Sequence, residues 1–213
     1  MSLFTHQGLD NLVATYGYLA VALGVGLESM GLPIPGETIL VVAAVYAATH
    51  TGLNIWLVAA AASVGAIVGD NLGYWLGGRF GYPLLLRFGP QVGLSKGRIK
   101  VGQYLFLRHG GKVVFFGRFV ALFRMLAAFL AGVNRMEWPK FLLANALGGV
   151  TWAAVFAFGG YMLGTISFRL QGVLGPIVLA IAAVAFFGCG FLIQRYEDRL
   201  QVEAERALPG PLA

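Results

Sequence analysis

The chain has few charged residues and a single cysteine. Of its 213 residues, 11% are charged and 58% are hydrophobic, whereas a soluble domain is about 25% charged and about 45–50% apolar. The shortage of charge excludes an ordinary water-soluble domain and indicates an integral membrane protein. The lone Cys189 excludes an intrachain disulfide.

Catalytic and metal-binding patterns are also missing from the sequence. His6, His50 and His109 are scattered along the chain without metal-ligand spacing. A membrane hydrolase needs a nucleophile with a partnered base, and no serine or cysteine of an apolar segment has a plausible histidine partner. We therefore expect a protein that is not an enzyme and that has no metal or other cofactor.

Basic residues outnumber acidic ones and cluster beside apolar segments. The net charge is +6, and residues 82–112 contain six basic residues and no acid. This clustering is typical of cytoplasmic membrane loops rather than of nucleic-acid binding. Because short apolar clusters alternate with the charges, residues 82–112 are predicted to form an interfacial amphipathic helix on the cytoplasmic surface.

Four apolar stretches are long enough to cross a bilayer, which takes about 20 helical residues. They are residues 9–27, 53–80, 138–165 and 172–194. With the basic segment inside, we expect the first crossing to run outward and the second inward, and both termini to be cytoplasmic. Residues 1–195 are predicted to form one membrane domain, and residues 196–213 a flexible cytoplasmic tail.

Prolines and glycines interrupt the apolar pattern directly after Glu28. The segment SMGLPIPGET, residues 29–38, contains Pro33, Pro35, Gly36 and Glu37. Prolines at alternate positions cannot lie inside a continuous helix, and the apolar run that follows is too short to cross alone. We predict a re-entrant helical hairpin, whose irregular backbone must be buried in protein or line a cavity.

Two arginines interrupt the otherwise apolar residues 113–132. They are Arg118 and Arg124, and Gly117 and Gly132 lie in the same segment. A charged side chain at bilayer depth is costly, so it almost always faces a protein interior or a water-filled cavity. We predict a second re-entrant hairpin here.

Glycines recur at every fourth residue in the 53–80 crossing. They are Gly65, Gly69, Gly73, Gly77 and Gly81, and Asp70 lies next to them. Small residues at this spacing let another helix approach closely. The glycine face suits either internal packing or self-association into a homodimer, and the sequence leaves both open.

A shift of 83 positions brings glycines of the two halves together. Gly65 then meets Gly148, Gly77 meets Gly160, Gly81 meets Gly164, and Pro35 meets Arg118. Chance is an alternative in a chain with 31 glycines, but inverted repeats with broken helices in matching positions are typical of transporters with a midplane site. We predict inverted repeats over residues 9–81 and 113–165. The predicted fold is an all-α membrane protein with about four transmembrane helices and two opposed re-entrant hairpins.

Several of these motifs together resemble the DedA family, also called the SNARE-associated or VTT-domain family. They are Glu28 with GLPIPGE at 31–37, GDNLGYWLGGRFG at 69–81, GRFVALFR at 117–124 and AG at 131–132. The resemblance implies a polytopic protein of the cytoplasmic membrane that moves lipids and depends on the proton motive force. Undecaprenyl phosphate and phospholipids such as phosphatidylethanolamine are the implied substrates.

The resemblance also assigns individual positions. The family's acidic positions match Glu28 and Glu37, its glycine–aspartate motif matches Gly69 and Asp70, and its arginines match Arg118 and Arg124. Family members often have proline after the GRF step and after the second arginine, where this chain has Val120-Ala121-Leu122 and Met125-Leu126-Ala127. The second hairpin is therefore expected to be more regular than usual.

The charged residues allow two roles that the sequence does not separate. Arginine makes bidentate, charge-assisted bonds to phosphate oxygens, so Arg118 and Arg124 are candidates for binding a lipid phosphate. Alternatively, they pair with Glu28 and Glu37 and hold the hairpins together. The two glutamates and Asp70 are candidates for proton coupling, although Asp70 could instead only bond the hairpin backbone.

The main hypothesis is a lipid flippase or scramblase with a membrane lipid and protons as its partners. A proton-coupled transporter of a small solute or ion is the alternative, and a membrane enzyme or an assembly factor fits less well. Asn145 is predicted to make a helix–helix hydrogen bond, and Trp152 to anchor at the interface or to pack between helices.

Overall fold

The computed structural model describes residues 6–32, 34–50, 52–88, 96–119, 121–169 and 207. All elements in these ranges are helical, in agreement with the predicted all-α class. They are α1 (His6–Ser29), α2 (Gly36–Thr49), α3 (Ile55–Phe88), α4 (Lys96–His109), α5 (Gly111–Phe116), a 3₁₀ turn (Gly117–Phe119), α6 (Ala121–Val133) and α7 (Trp138–Arg169). Pro33, the predicted crossing 172–194 and nearly all of the predicted tail lie outside the described residues.

Two of the described helices are long and apolar enough to cross a membrane. These spans are Ile55–Gly81 in α3 and Trp138–Ile166 in α7, close to the predicted crossings 53–80 and 138–165. α3 bends at Gly81, whose φ of 63° and ψ of −161° are not helical. Glycine adopts a positive φ without a steric penalty, so the span ends there although the helix continues.

α1 and α3 run in the same direction. A Cβ atom placed on Gly65 would lie 2.2 Å from the Ala22 carbonyl oxygen, and one on Gly69 would lie 2.1 Å from the Gly26 carbonyl oxygen. Residues later in α1 therefore contact residues later in α3, so the two helices are parallel. Glycine is needed at these positions because the two backbones are in direct contact. This arrangement contradicts the expectation that residues 9–27 and 53–80 run in opposite directions.

The chain turns back after α1 and forms a helical hairpin with α2, which we call the first hairpin. Gly31 has a φ of 105° in this turn. A Cβ atom on Gly36 would lie 2.5 Å from the Gly24 carbonyl oxygen, so the first turn of α2 is held against α1. α2 then runs parallel to α7, since Gly160 is next to Ala44 and the following Gly164 is next to Ala48.

A second hairpin consists of α5, the 3₁₀ turn and α6. α5 runs parallel to α7, because Gly111 is next to Ala144 and Phe115 is next to Gly148. α6 is a regular helix that packs parallel to α3. Gly132 fits there only as glycine, since a Cβ atom would lie 1.9 Å from the Tyr74 carbonyl oxygen.

α3 and α7 cross in opposite directions, which places the two hairpins at opposite ends of the bundle. The Asn145 amide donates to the Ile67 carbonyl oxygen at 3.2 Å, and the Trp138 indole donates to Asn71 Oδ1 at 3.0 Å. Because α1 runs parallel to α3, the first hairpin enters the bundle at the end where α3 begins. Because α5 runs parallel to α7, the second hairpin enters at the end where α3 ends.

α4 is formed by residues of the basic segment 82–112, and some of its apolar side chains pack in the interior of the bundle. Ile99 and Phe106 are buried with Leu126 and Leu130 of α6 in one apolar cluster. A second cluster joins α1, α2, α3 and α7 around Val25, Leu40, Val58 and Trp152.

Large apolar side chains remain exposed on the outside of the bundle. Examples are Trp56, Phe116, Leu143 and Met162, each more than 60% exposed. Exposed apolar surface of this extent marks a membrane or protein contact, and the two long apolar spans favour the membrane.

Candidate functional site

The turns of the two hairpins bring the predicted charged residues into the middle of the bundle. Glu28 lies in the last turn of α1 and Glu37 in the first turn of α2. Arg118 lies in the 3₁₀ turn and Arg124 in α6. Asp70 projects from α3, where it is buried. These residues are up to 96 positions apart in the chain, and they form two ion-pair clusters.

The first cluster joins the two hairpins through Arg124. Its Nη1 donates to Glu37 Oε2 at 2.9 Å, and its Nη2 donates to Glu28 Oε1 at 2.5 Å. Glu28 Oε2 also accepts from the Glu37 backbone N–H at 2.8 Å, which fixes the start of α2. The Arg124 guanidinium lies 5.2 Å from the centre of the buried Trp152 ring, a favourable cation–π distance.

The second cluster joins the 3₁₀ turn to α3 and α7 through Arg118. Its Nη1 donates to Asp70 Oδ2 and also to Asn145 Oδ1, the latter at 2.6 Å. Asn145 then donates to the Ile67 carbonyl oxygen. Arg118 is 2% exposed and the Asp70 side chain 4%, so this pair is fully enclosed by protein.

Glycines make room for the second cluster. A Cβ atom on Gly148 would lie 3.1 Å from Arg118 Cδ, and one on Gly149 would lie 3.6 Å from its Cζ. The Arg118 guanidinium therefore lies over a flat, glycine-only surface of α7. Gly117, also buried, starts the 3₁₀ turn.

Within the part of the chain that the structure describes, five buried polar atoms of these clusters have no hydrogen-bond partner. They are Arg118 Nε, Arg118 Nη2, Arg124 Nε, Glu37 Oε1 and Asp70 Oδ1. An unpartnered buried polar group costs about 1–3 kcal/mol, more when charged. The site therefore has both donors and acceptors that a ligand, water or proton would satisfy.

The formal charges of the two clusters do not cancel. Three carboxylates face two guanidiniums, which leaves one excess negative charge if all are ionised. An uncompensated charge is strongly disfavoured in a low-dielectric interior. The arrangement is therefore suited to take up one proton or one cation.

The remaining predicted residues have packing roles. Pro35 precedes the first residue of α2, and Gly36 packs against α1. Gly69 packs against α1 as well, whereas Gly77 contacts Phe129 of α6. Gly73 lies near both hairpins, 3.6 Å from Ala128 and 3.9 Å from the Met30 carbonyl oxygen for an added Cβ atom. The glycine face is thus used for packing within the chain.

Sequence reasoning missed two residues of the site. Asn145 does make the predicted helix–helix bond, but it also bonds Arg118. Of the two roles predicted for Trp152, packing between helices is correct, because the side chain is 1% exposed and lies in the second apolar cluster; its contact with the Arg124 guanidinium was not predicted. The sequence feature that could have linked Asn145 and Trp152 is their spacing. Seven residues are about two helical turns, so both side chains lie on the same face of α7. Among the described residues, no group of three or more histidine, cysteine or acidic side chains could hold a metal ion.

Comparison with known proteins identifies membrane proteins as relatives of this chain. Residues 34–162 match the VTT domain. The chain is 40% identical to an uncharacterized membrane protein of Synechocystis over 76% of the chain and 74% of that protein. It is 39% identical to an uncharacterized membrane protein of Mycobacterium tuberculosis, covering 88% of each, and 32% identical to Protein DedA of Escherichia coli K12, covering 83% of each. No solved structure matches the chain. The chain therefore belongs to the DedA family of VTT-domain membrane proteins.

Proposed function

We propose that this protein moves a phosphate-bearing lipid, such as undecaprenyl phosphate or phosphatidylethanolamine, across the cytoplasmic membrane. The observation that carries this proposal is the unpartnered edge of Arg118. Its Nε and Nη2 are buried and make no hydrogen bond to any of the described residues, while Nη1 alone bonds Asp70 and Asn145. The Nε–Nη2 edge is one that arginine uses to bind phosphate oxygens in a bidentate manner.

The two arginines have different roles in this proposal. Both terminal nitrogens of Arg124 are bound to glutamates, so Arg124 fastens the two hairpins together. Arg118 can accept a phosphate without losing its pair with Asp70. The alternatives that the sequence left open are thus divided between the arginines: Arg118 binds the phosphate and Arg124 is structural.

Protons are taken up by carboxylate oxygens that have no hydrogen-bond partner in the described ranges. Glu37 Oε1 and Asp70 Oδ1 fit this role, whereas both oxygens of Glu28 are occupied. The site already has one excess negative charge, and a phosphate adds at least one more. Because like charges in a low-dielectric site repel strongly, phosphate binding favours protonation of a carboxylate, which would couple lipid movement to protons.

The packing of corresponding glycines supports inverted repeats. Gly65 faces α1 and Gly148 faces α5, the first helix of the hairpin in the same half in each case. Gly77 faces α6 and Gly160 faces α2, the second helix of the other half's hairpin in each case. The third predicted pair does not correspond, because Gly81 lies at the bend of α3. We propose that the hairpins are re-entrant and meet near the membrane midplane.

We propose a membrane orientation with the basic end of the bundle in the cytoplasm. Residues 82–112 follow the apolar span of α3, which ends at Gly81, and carry the excess of basic residues, so the rule of positive inner loops places this end inside. Since α1 begins at the other end, its first residues lie on the outer face, and this replaces the prediction of a cytoplasmic N-terminus. A crossing at 172–194 would return the chain to the cytoplasm.

Purified protein in liposomes with fluorescently labelled lipids tests the proposed function. We expect faster transbilayer movement than in protein-free liposomes, and a loss of this gain in the Arg118→Lys variant. Lysine keeps the charge that faces Asp70 but lacks the bidentate edge. Gly159→Ala is the matched control, because an added methyl there meets nothing within 4 Å. Equal rates for Arg118→Lys and the control would overturn the phosphate-binding role.

The excess negative charge also fits a transporter that exchanges protons for a small cation. In this second hypothesis the cation replaces the proton at one carboxylate, either Glu37 or Asp70, and the Nε–Nη2 edge of Arg118 has no role. Ion flux into the same liposomes distinguishes the two. Cation uptake that does not change in Arg118→Lys, without lipid movement, would favour the second hypothesis.

A further inference from the structure

A groove runs between α5 and α7 at the basic end of the bundle. Its volume is about 440 Å³, within the roughly 300–1,000 Å³ typical of ligand sites. Its wall is mainly apolar and includes Phe115, Phe116, Leu143 and Leu147. Phe116 and Leu143 are 65% and 63% exposed, so the groove opens to the outside of the bundle, where lipid chains lie.

Two lysines lie at this groove. Lys112 is in the first turn of α5, Lys140 is in the first turn of α7, and both helices begin at the basic end. Lys140 also pairs with Glu137 at 2.9 Å, but both side chains are more than 60% exposed. An exposed pair of this kind contributes little and yields readily to a stronger anion. The groove thus combines an apolar wall with positive charge at one end.

The groove leads towards the phosphate site. Phe115 forms part of its wall, and Gly148 lies between Phe115 and Arg118. A Cβ atom on Gly148 would be 3.2 Å from Phe115 Cα and 3.1 Å from Arg118 Cδ. At this point a single residue, Gly148, therefore lies between the Phe115 wall of the groove and the enclosed Arg118 side chain.

The corresponding contact in the other half of the chain is tighter. Between α1 and α3, a Cβ atom on Gly65 would lie 2.2 Å from a backbone oxygen, against 3.2 Å from the nearest backbone atom at Gly148. The distance from the added Cβ atom to the nearest backbone atom is thus about 1 Å longer at the α5–α7 contact, which is the looser of the two. The helix contact next to Arg118 is therefore the more loosely packed of the two.

We propose that this groove is the docking site through which a lipid with a phosphate headgroup enters from the basic face. The lipid chain lies against the phenylalanines and leucines of α5 and α7, and the phosphate is held by Lys112 and Lys140 before it passes to Arg118. The passage of the phosphate from the lysines to Arg118 rests on the proposed function. Docking in the groove does not, since it requires no transport.

Photo-crosslinking in phosphatidylcholine nanodiscs tests the docking site. The probe is phosphatidic acid with a photoactivatable group in its acyl chain, and diacylglycerol with the same chain is the neutral control. We expect crosslinks on α5 and α7 for phosphatidic acid, and far fewer for diacylglycerol. Replacing Lys112 and Lys140 by glutamine should weaken binding about fivefold for one lysine and about thirtyfold for both.

Two further variants separate a specific site from a general effect. Ala144→Phe should reduce crosslinking by filling the groove, whereas Met162→Phe, exposed elsewhere on α7, should leave it unchanged. Arg79→Gln, on the exposed surface of α3, controls for the loss of one positive charge. Crosslinking that is equal for both probes, or equally reduced by Arg79→Gln, would overturn the proposal.

Docking and transport can fail separately. If the double lysine variant binds phosphatidic acid normally and Arg118→Lys still abolishes lipid movement, the groove is not the entry site but the proposed function stands. If crosslinking depends on the lysines while no lipid moves in liposomes, the groove is a lipid site and the proposed function is wrong.

Discussion

Replacing Arg124 by glutamine should strongly destabilise the protein. Arg124 is 6% exposed, and Glu28 and Glu37, its two partners, are 15% and 20% exposed. Glutamine suits a helix about as well as arginine, so the main change is the loss of the positive charge. Two neighbouring carboxylates would then remain inside the bundle without a compensating cation.

The size of the effect follows from these contacts. Breaking a buried ion pair by removing one partner costs about 3–5 kcal/mol, and the lost cation–π contact with Trp152 adds roughly 0.5–2 kcal/mol. Protonation of one glutamate would recover part of this loss, so we expect a net decrease of about 3–5 kcal/mol in the free energy of unfolding. At about 2–4 °C per kcal/mol, Tm should fall by about 6–20 °C.

A second variant tests whether uncompensated charge is the cause. Adding Glu28→Gln and Glu37→Gln to Arg124→Gln removes every charge of this cluster but keeps groups that can form hydrogen bonds. Neutral replacement of a whole buried network is often close to neutral in stability. The triple variant should therefore recover most of the lost Tm.

Thermal unfolding in detergent micelles at neutral pH, followed by tryptophan fluorescence, measures both variants. Trp152, one of four tryptophans, lies 5.2 Å from the Arg124 guanidinium, so part of the native signal comes from the cluster. A fall of less than about 2 °C, equivalent to under about 1 kcal/mol, would refute the structural role of Arg124. A triple variant as unstable as the single one would refute the charge explanation.

Three further predictions concern packing, the second cluster and orientation. Gly132→Ala should lower stability by about 1–3 kcal/mol, the usual cost of overpacking, because its methyl would meet a backbone oxygen of α3. Gly159→Ala, measured by the same thermal unfolding, should have no such effect. Asn145→Leu should cost about 1.5–3 kcal/mol, the value of a hydrogen bond to a charged group, and an unchanged Tm would contradict this. In a cysteine-free background, Asn54→Cys should react with a membrane-impermeant thiol reagent in intact cells, and Lys112→Cys only after permeabilisation; the reverse pattern would invert the proposed orientation.

Much of the site follows from local features of the sequence. Arg118, Arg124 and Asp70 were identifiable because charges in apolar segments are expensive unless protein surrounds them. The turn between α1 and α2 was identifiable because Pro35 and its neighbours cannot continue a helix. Both arguments depend only on neighbouring residues, and they hold in the structure.

The sequence predicted the pairing of these charges only in part: Arg124 pairs with both glutamates, as one of the two alternatives had it. Arg118 was expected to pair with the glutamates, if it paired at all, but Asp70 and Asn145 bind it instead. Their distances along the chain are 48 and 27 residues. Which carboxylate meets which arginine depends on how four helices cross, and no local pattern specifies that geometry.

The direction of α1 shows the same limit. Counting crossings made residues 9–27 antiparallel to the next crossing, but the Ala22–Gly65 and Gly26–Gly69 contacts make the helices parallel. An apolar helix of this length is compatible with either arrangement, because hydrophobicity carries no direction. Backbone contact at the glycines selects the parallel one.

The sequence by itself determined that the chain is a helical membrane protein and that Glu28, Glu37, Asp70, Arg118 and Arg124 need surrounding protein, because composition, proline turns and the cost of a buried charge are properties of short segments. The DedA family was identified from the resemblance of its motifs. Only the tertiary structure decided that Arg124 joins the two hairpins while one buried edge of Arg118 has no partner among the described residues. That division depends on contacts between residues far apart in the chain, and these exist only once the hairpins have entered the bundle from opposite ends.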